Sequence, residues 1–439
     1  MSRTNKTIQA VIETLETRTL MSAALGVSQV AFEGGTQLRI TGTTGNDQIT
    51  VKQTAAGIVV ANGTWNKTVA GTFNSLWING EAGNNSVIID PSVTIDATVF
   101  GGGANDSLVA GSGNETLYGG TGKNVIKAGN GNDTLVCIGS TSDTLVGGAG
   151  NDTFWTDNNS AEKIQKVTAA ENNSGAVHRV GGYINAPVTA ASKKAKTVVK
   201  TTAIAEPAVD GGVTYANFSN DPIFASAGPS ADDIFQGDVG DCYFLSVLSS
   251  TAKVDAARIQ NSVLDMGDGT VIVQLNKNGK AVYVHEDESL PVSNGSLAYA
   301  GLGAQNCTWV ALMEKAWTYV RTSTASYASI NAGWMDEADA ALGAGKVTST
   351  FTASSAASLL TLIQKDLNNG QGVTYATQSA PAGSGLVEDH AYTVISAGTN
   401  SLTLRNPWGV GADGMGNGYL TITGAQALAA FTGMVAANV

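Results

Sequence analysis

The sequence predicts a multidomain chain: an all-β solenoid or roll, then an α+β domain. Three observations carry this. A nine-residue unit of the form Gly-Gly-x-Gly-x-Asp-x-U-x, with U a large aliphatic or aromatic residue, recurs six times between Gly101 and Trp155, and such units are strands that need stacked neighbours. From Gln236 to Leu248 the pattern changes to a glycine turn followed by apolar residues at helical spacing. Strand-like runs then close the chain. At 439 residues there is room for two or three domains. The 53 glycines against 8 prolines, without a collagen period, fit turns or a repeat. A net charge of −12 argues against nucleic acid and fits an acidic exported protein or one that binds cations. No run of 18 apolar residues is present, so no transmembrane helix is expected.

Residues 1–26 come first. Arg3 and Lys6 make a basic start, but no continuous apolar core follows. Ile8, Val11, Ile12 and Leu15 predict a short amphipathic helix. Leu15 to Ser22 resembles the Leu-Glu-x-Arg-x-Leu-Leu-Ser segment near the N-termini of exported planctomycete proteins. That resemblance implies an exported chain, extracellular or in the cell envelope, with association at a cell surface as one outcome. A plain surface helix is the competing reading.

The repeat units begin at Gly101, Ala110, Gly119, Ala128, Cys137 and Gly147. Their acidic position holds Asp106, Glu115, Asn124, Asp133, Asp143 and Asp152. Their U position holds Leu108, Leu117, Ile126, Leu135, Leu145 and Phe154. The pattern resembles the RTX (hemolysin-type) calcium-binding repeats, which implies a parallel β-roll. Glycines let the backbone turn with carbonyls inward, and carbonyls plus a carboxylate make an oxygen cage suited to calcium. With two units per coil, one row holds Asp106, Asn124 and Asp143, and the other Glu115, Asp133 and Asp152. The second row is wholly acidic and is expected to bind calcium better. A degenerate roll held by its apolar ladder is the competing reading. Eroded units at Thr41–Ile49 and Gly80–Val87 extend the roll to residues 27–157.

Residues 158–214 read as a linker rich in Ala, Thr, Asn, Val and Lys, including Lys193, Lys194 and Lys196. It is a candidate processing site, and His178 within it has no assigned role.

Residues 215–439 carry the chemistry. Asp241 is a good N-cap residue, which puts Cys242 in the first turn of an apolar helix. A thiol there sits near unpaired N–H groups and the positive end of the dipole. Gln236 lies across the turn, where its amide can donate to an oxyanion. His390 heads a strand-like run, and Asn406 precedes Pro407, Trp408 and Gly409. Cysteine, histidine and asparagine in that order are nucleophile, base and orienter of a papain-type thiol protease. A lone cysteine opening an apolar helix is more often a small buried hydrophobe; the two later motifs shift the balance. Val271–Leu275 and Ala281–Val284 predict a hairpin. His285, at its end, matches no catalytic block. Three cysteines, one of them the nucleophile, give no disulfide framework, so Cys137 and Cys307 read as buried thiols.

Four blocks resemble the calpain family of cysteine proteases: Gln236–Leu245, Trp309–Trp317 with its Glu-Lys-Ala core, His390–Tyr392, and Arg405–Gly409. The resemblance covers roughly Asp221 to Phe431. It implies an α+β papain-like domain with a cysteine-bearing subdomain (215–345), a histidine- and asparagine-bearing subdomain (346–439) and a substrate cleft between them. It implies protein or peptide substrates and hydrolysis through a thioester acyl-enzyme. Cys242 is then the nucleophile, with a thiol pKa of about 3.5–7.5 when paired with imidazolium. His390 is the general base and acid, Asn406 its orienter, Gln236 the oxyanion donor and Trp408 the shield over the His–Asn pair. Family members also bind calcium in each subdomain. Gly228 and Asp233 match the first such site, but Cys307 stands where the family has glutamate. In the second, Val410–Ala412 intervene before Asp413. Asp389 replaces the glycine that the family places before the histidine. The leading reading is an exported thiol endopeptidase with a calcium-binding repeat module. Its rivals are an inactive calpain-fold surface, adhesion or scaffold protein, and another papain-fold activity such as acyl transfer.

Overall fold

The computed structural model describes residues 24–32, 34–140, 142–173, 175–185, 204–322, 324–409 and 417–439. The export-type motif at Leu15–Ser22, the lysines at 193–196 and Asp413 lie outside them. The chain divides into two compact units, residues 1–181 and 182–439, described separately here.

The first unit is a β-solenoid of two stacked sheets. In one, Ile40, Ile78, Val99, Leu117, Leu135, Phe154 and Val177 follow one another through parallel pairing. In the other, Ile49, Val87, Leu108, Ile126, Leu145 and Ile164 do the same. The six U residues alternate between the two ladders as the nine-residue period requires, and all are at most 1% exposed. Each buried aliphatic side chain contributes about 1.5–3 kcal/mol of transfer free energy, so the two ladders are what hold the coils. Glycine is required where coils stack. Gly131 and Gly150 have φ of 126° and 134°, and a Cβ at either would collide with a carbonyl of the preceding coil, Gly113 and Gly131 respectively. Cys137 is fully buried in the roll.

The roll does not stop at residue 157. Lys163–Gln165 pairs with Thr144–Val146, and Val177–Val180 pairs with Thr153–Asp157. The expected linker therefore begins with a further coil. Its repeat glycines are gone, which hid it from the sequence, but the strand pairing and row spacing persist. His178 belongs to this coil, its ring 3.8 Å from that of Trp155 and nearly parallel to it.

The second unit has two cores. In the first, helix α1 (Cys242–Val254) and helix α2 (Trp309–Arg321) pack together. The expected hairpin is present as Thr270–Lys277 against Lys280–Asp287. Asn278 and Gly279 turn it with φ of 54° and 72°, the geometry that a two-residue hairpin loop needs. The second core lies on a six-stranded antiparallel sheet: β1 (Val347–Thr350), β2 (Gly372–Thr377), β3 (Ala391–Ala397), β4 (Ser401–Arg405), β5 (Tyr419–Thr423) and β6 (Phe431–Ala437), in the order β1-β6-β2-β3-β4-β5. Helix α1 lies against β2 and β3, and the Thr393 hydroxyl donates to the Ser246 carbonyl at 2.7 Å. The cysteine-bearing helix is thus fixed to the strand that follows His390.

Candidate functional site

Strand pairing brings the site together. β3 and β4 are antiparallel neighbours with Thr393 opposite Arg405. His390 immediately precedes β3 and Asn406 immediately follows β4, so the two face each other at one end of the sheet. The short His-to-Asn spacing is the length of a tight hairpin. His390 Nε2 and Asn406 Oδ1 are 2.8 Å apart. The Trp408 N–H donates to the same oxygen at 3.0 Å. Both side chains are nearly buried, His390 6% and Asn406 1% exposed. Trp408 and Tyr392 flank the imidazole, with ring centroids 4.8 and 4.9 Å from it. The residue before the histidine, Asp389, has φ of 50°. Aspartate tolerates this left-handed conformation better than most residues, so the substitution of glycine keeps the turn.

Cys242 opens α1 after Asp241, as expected. Asp241 caps without its side chain; its carbonyl receives the Phe244 and Leu245 N–H groups. The backbone amide of Ala391, the residue after His390, acts on the thiol to favour its ionised form. Burial pushes the thiol up to about 11, Asp241 adding to the shift and the Ala391 amide opposing it. Gln236 sits on the adjoining turn. Its N–H bonds the Pro407 carbonyl at 2.8 Å, and its Nε2 donates to the Val239 carbonyl at 2.6 Å. An amide nitrogen carries two hydrogens, so one remains to donate.

In the roll, the acidic positions form two buried rows. The backbone N–H of each bonds the side-chain oxygen of the next. One row runs Asn85, Asp106, Asn124, Asp143, Glu162. The other runs Glu115, Asp133, Asp152, Glu171. These are the rows that the repeat period predicts, with Asn85 supplied by the eroded unit at Gly80–Val87; Glu162 and Glu171 are additions that the repeat motif does not mark. Glu162 and Glu171 continue the row spacing at 19 residues, a signal visible without the glycines. Asp106 Oδ2, Glu115 Oε2 and Asp133 Oδ2 are buried with no hydrogen-bond partner. A Cβ at Gly101 would lie 2.8 Å from both Asp106 Oδ2 and the Gly119 carbonyl oxygen. Buried orphan carboxylate oxygens beside inward carbonyls are a hard-cation donor set, and these residues fit calcium. Asn85 differs: its Nδ2 donates to the carbonyls of Gly80 and Gly101 at 3.2 and 3.1 Å, so an amide fills that cage. Without a cation, burial pushes Glu115 up to about 8 and Asp133 to about 6, each raised further by a neighbouring carboxylate.

The Asp233 carboxylate is partly committed to hydrogen-bond donors. Asp233 is fully buried, but its Oδ2 receives three N–H groups: Ser230 N at 2.9 Å, Gln305 Nε2 at 3.0 Å and Trp309 Nε1 at 2.9 Å. The Cys307 thiol also lies against this carboxylate and is pushed up to about 12 by burial and then by that charge. Asp233 Oδ1 is buried without a hydrogen-bond partner, so one carboxylate oxygen is committed to donors and the other is not.

Comparison with known proteins adds two findings. Residues 214–415 match the model of the calpain family cysteine proteases. Residues 98–136 and 138–159 match the RTX calcium-binding nonapeptide repeat. Similar proteins include Calpain clp-1 of Caenorhabditis elegans, 27% identical over 210 residues (44% of this chain, 26% of that protein). Calpain-13 of Rattus norvegicus is 31% identical over 208 residues (43% and 30%). The Calpain-1 catalytic subunit of Bos taurus is 32% identical over 213 residues (44% and 29%). The chain spans less than a third of the length of these relatives. It carries a calpain-type cysteine protease domain after RTX calcium-binding repeats. Among the described residues, no helix is long and apolar enough to cross a membrane.

Proposed function

We propose that the calpain-type domain hydrolyses peptide bonds in protein substrates, with Cys242 as nucleophile, His390 as general base and acid, and Asn406 holding the imidazole. The observation that carries this is the 2.8 Å contact of His390 with Asn406, at the head of the strand to which the cysteine-bearing helix is fixed. Asn406 fixes one ring nitrogen, which leaves the other to take the thiol proton. That transfer makes a thiolate–imidazolium pair and overcomes the burial that otherwise keeps the thiol neutral. The thiolate attacks the scissile carbonyl carbon and forms a C–S bond. The oxyanion receives the remaining Gln236 N–H and the backbone N–H groups at the start of α1. His390 then gives its proton to the leaving amine as the C–N bond breaks. Water, deprotonated by the same imidazole, hydrolyses the thioester and restores the thiol.

In this reading the repeat module binds calcium through Asp106, Glu115, Asp133, Asp143 and Asp152 with glycine carbonyls. Calcium there neutralises Asp106, Glu115, Asp133 and Asp152, whose carboxyls burial otherwise pushes toward the protonated form. Export of the chain belongs to the same reading and is supported by the repeats. Cys242→Ala tests the enzyme: the purified full chain should cleave an unfolded protein substrate, and the variant should not. Equal cleavage by the variant contradicts the assignment.

A further inference from the structure

The turn that carries Asp233 lies between three parts of the protease unit. On one side the loop 301–309 is zipped onto it. Gly301 N–H bonds the Phe235 carbonyl at 2.7 Å, and Ala304 N–H the Asp232 carbonyl at 3.3 Å. A Cβ at Gly303 would collide with the Asp233 backbone. On the other side stand the residues flanking Asn406. Arg405, 1% exposed, donates from Nε to Asp232 Oδ1 at 3.2 Å and from Nη2 to the Ile234 carbonyl at 2.9 Å. Pro407 accepts from Gln236 N–H at 2.8 Å. The turn therefore joins the cysteine-bearing core to the strand end that places Asn406.

Gln305 adds a bond that no other group of the turn makes. Its Nε2 donates to both the Gly228 carbonyl and Asp233 Oδ2, at 3.0 Å each. One amide nitrogen thus bridges the two oxygens that would have to share a cation, and it does so without any net charge or exchangeable ligand. Loss of this bridge would leave a buried carboxylate short of a donor and free the loop that Arg405 grips.

We propose that Gln305 is a positioning residue that takes the place of a bound cation, so that the Asp233 turn, and through Arg405 the setting of Asn406, is formed without calcium. This rests on the reading of Cys242 and His390 as the reacting pair. Calcium then acts on this chain through the repeats and not through the Asp233 turn.

The test is amide hydrogen exchange on the full chain, with calcium and with chelator, read peptide by peptide. In the wild-type protein, peptides from residues 98–159 should gain protection with calcium, while peptides covering 228–236 and 303–309 should not change. In Gln305→Ala, peptides covering 228–236 should exchange faster under both conditions, by about tenfold, the effect of one lost hydrogen bond to a charged group. In Gln305→Glu, which turns the bridge into a second carboxylate, the same peptides should be unprotected in chelator and recover with calcium. Alkylation of Cys242 should follow: unaffected by chelator in the Asp233 turn's wild-type state, and calcium-dependent in Gln305→Glu. Wild-type protection at 228–236 that rises on adding calcium would overturn the proposal, and this readout does not depend on either variant folding. If Cys242 shows no special reactivity in any sample, the catalytic reading fails, and the exchange result still decides the role of Gln305.

Discussion

Asn406 Oδ1 receives two partners at once, His390 Nε2 at 2.8 Å and the Trp408 N–H at 3.0 Å. The backbone donor fixes which way the amide points, because an amide turned over would set its NH2 against that N–H. Asn406→Ala should lower kcat about 100-fold, toward the low end of what a positioned acid–base pair contributes, with a much smaller change in KM. Steady-state kinetics on a peptide substrate checks this; a fall confined to KM contradicts it.

Trp408 acts on the same bond differently. Its indole covers the imidazole and its backbone N–H aims the amide. Trp408→Ala keeps the backbone donor but lets water reach the His–Asn bond, which weakens it. Activity should fall about tenfold, less than for Asn406→Ala, and Trp408→Phe should restore most of it. Equal losses in Trp408→Phe and Trp408→Ala would assign the role to the indole N–H instead.

Asp389 tests the turn that delivers the histidine. At φ of 50°, a β-branched residue costs about 1–3 kcal/mol. Asp389→Val should destabilise the protease unit and lower activity, whereas Asp389→Gly should leave both near wild type. Denaturant unfolding with activity measured in parallel separates these outcomes.

The repeat module supplies a pH dependence. Glu115, Asp133 and Asp106 are pushed up to about 8, 6 and 6, burial being the main cause in each. Their ordinary values are 4.5, 3.8 and 3.8, so between those limits the folded roll binds more protons than the unfolded chain. Stability then falls as pH rises. The contribution is complete below the ordinary values and is lost as pH passes 6 and then 8. In chelator, the roll should resist unfolding better at about pH 5 than at about pH 8.5, and calcium should flatten the difference. Hydrogen exchange of peptides from residues 98–159 reads this out; stability that rises with pH in chelator contradicts it.

Much of the molecule was legible in its residues because two periods are strong. The six U residues and six acidic positions gave the ladders and the pairing of rows, since a nine-residue unit with two units per coil leaves no freedom. Glu162 and Glu171 were missed because the glycines that mark a unit are absent there, although the 19-residue row spacing continues. In the protease unit, the motifs mark Cys242, His390, Asn406, Gln236 and Trp408, and the fold brings His390, Asn406 and Trp408 into contact. What could not be read was the state of the thiol, which depends on burial, and the role of Gln305. A glutamine in a loop carries no pattern; only the fold places its amide between Gly228 and Asp233.

The most direct test of the central claim is the rate at which a small alkylating reagent modifies Cys242 as pH is varied, with the modified cysteine located by peptide mass, in the wild type and in His390→Ala. Burial, with the Asp241 charge, pushes this thiol up to about 11. The ion pair predicts that wild-type Cys242 reacts readily near neutral pH, at a rate that stays level over the range where the imidazolium persists, and that His390→Ala moves the onset up toward 11. Identical profiles in the two proteins, each rising only at strongly alkaline pH, would mean that Cys242 and His390 do not act as a pair.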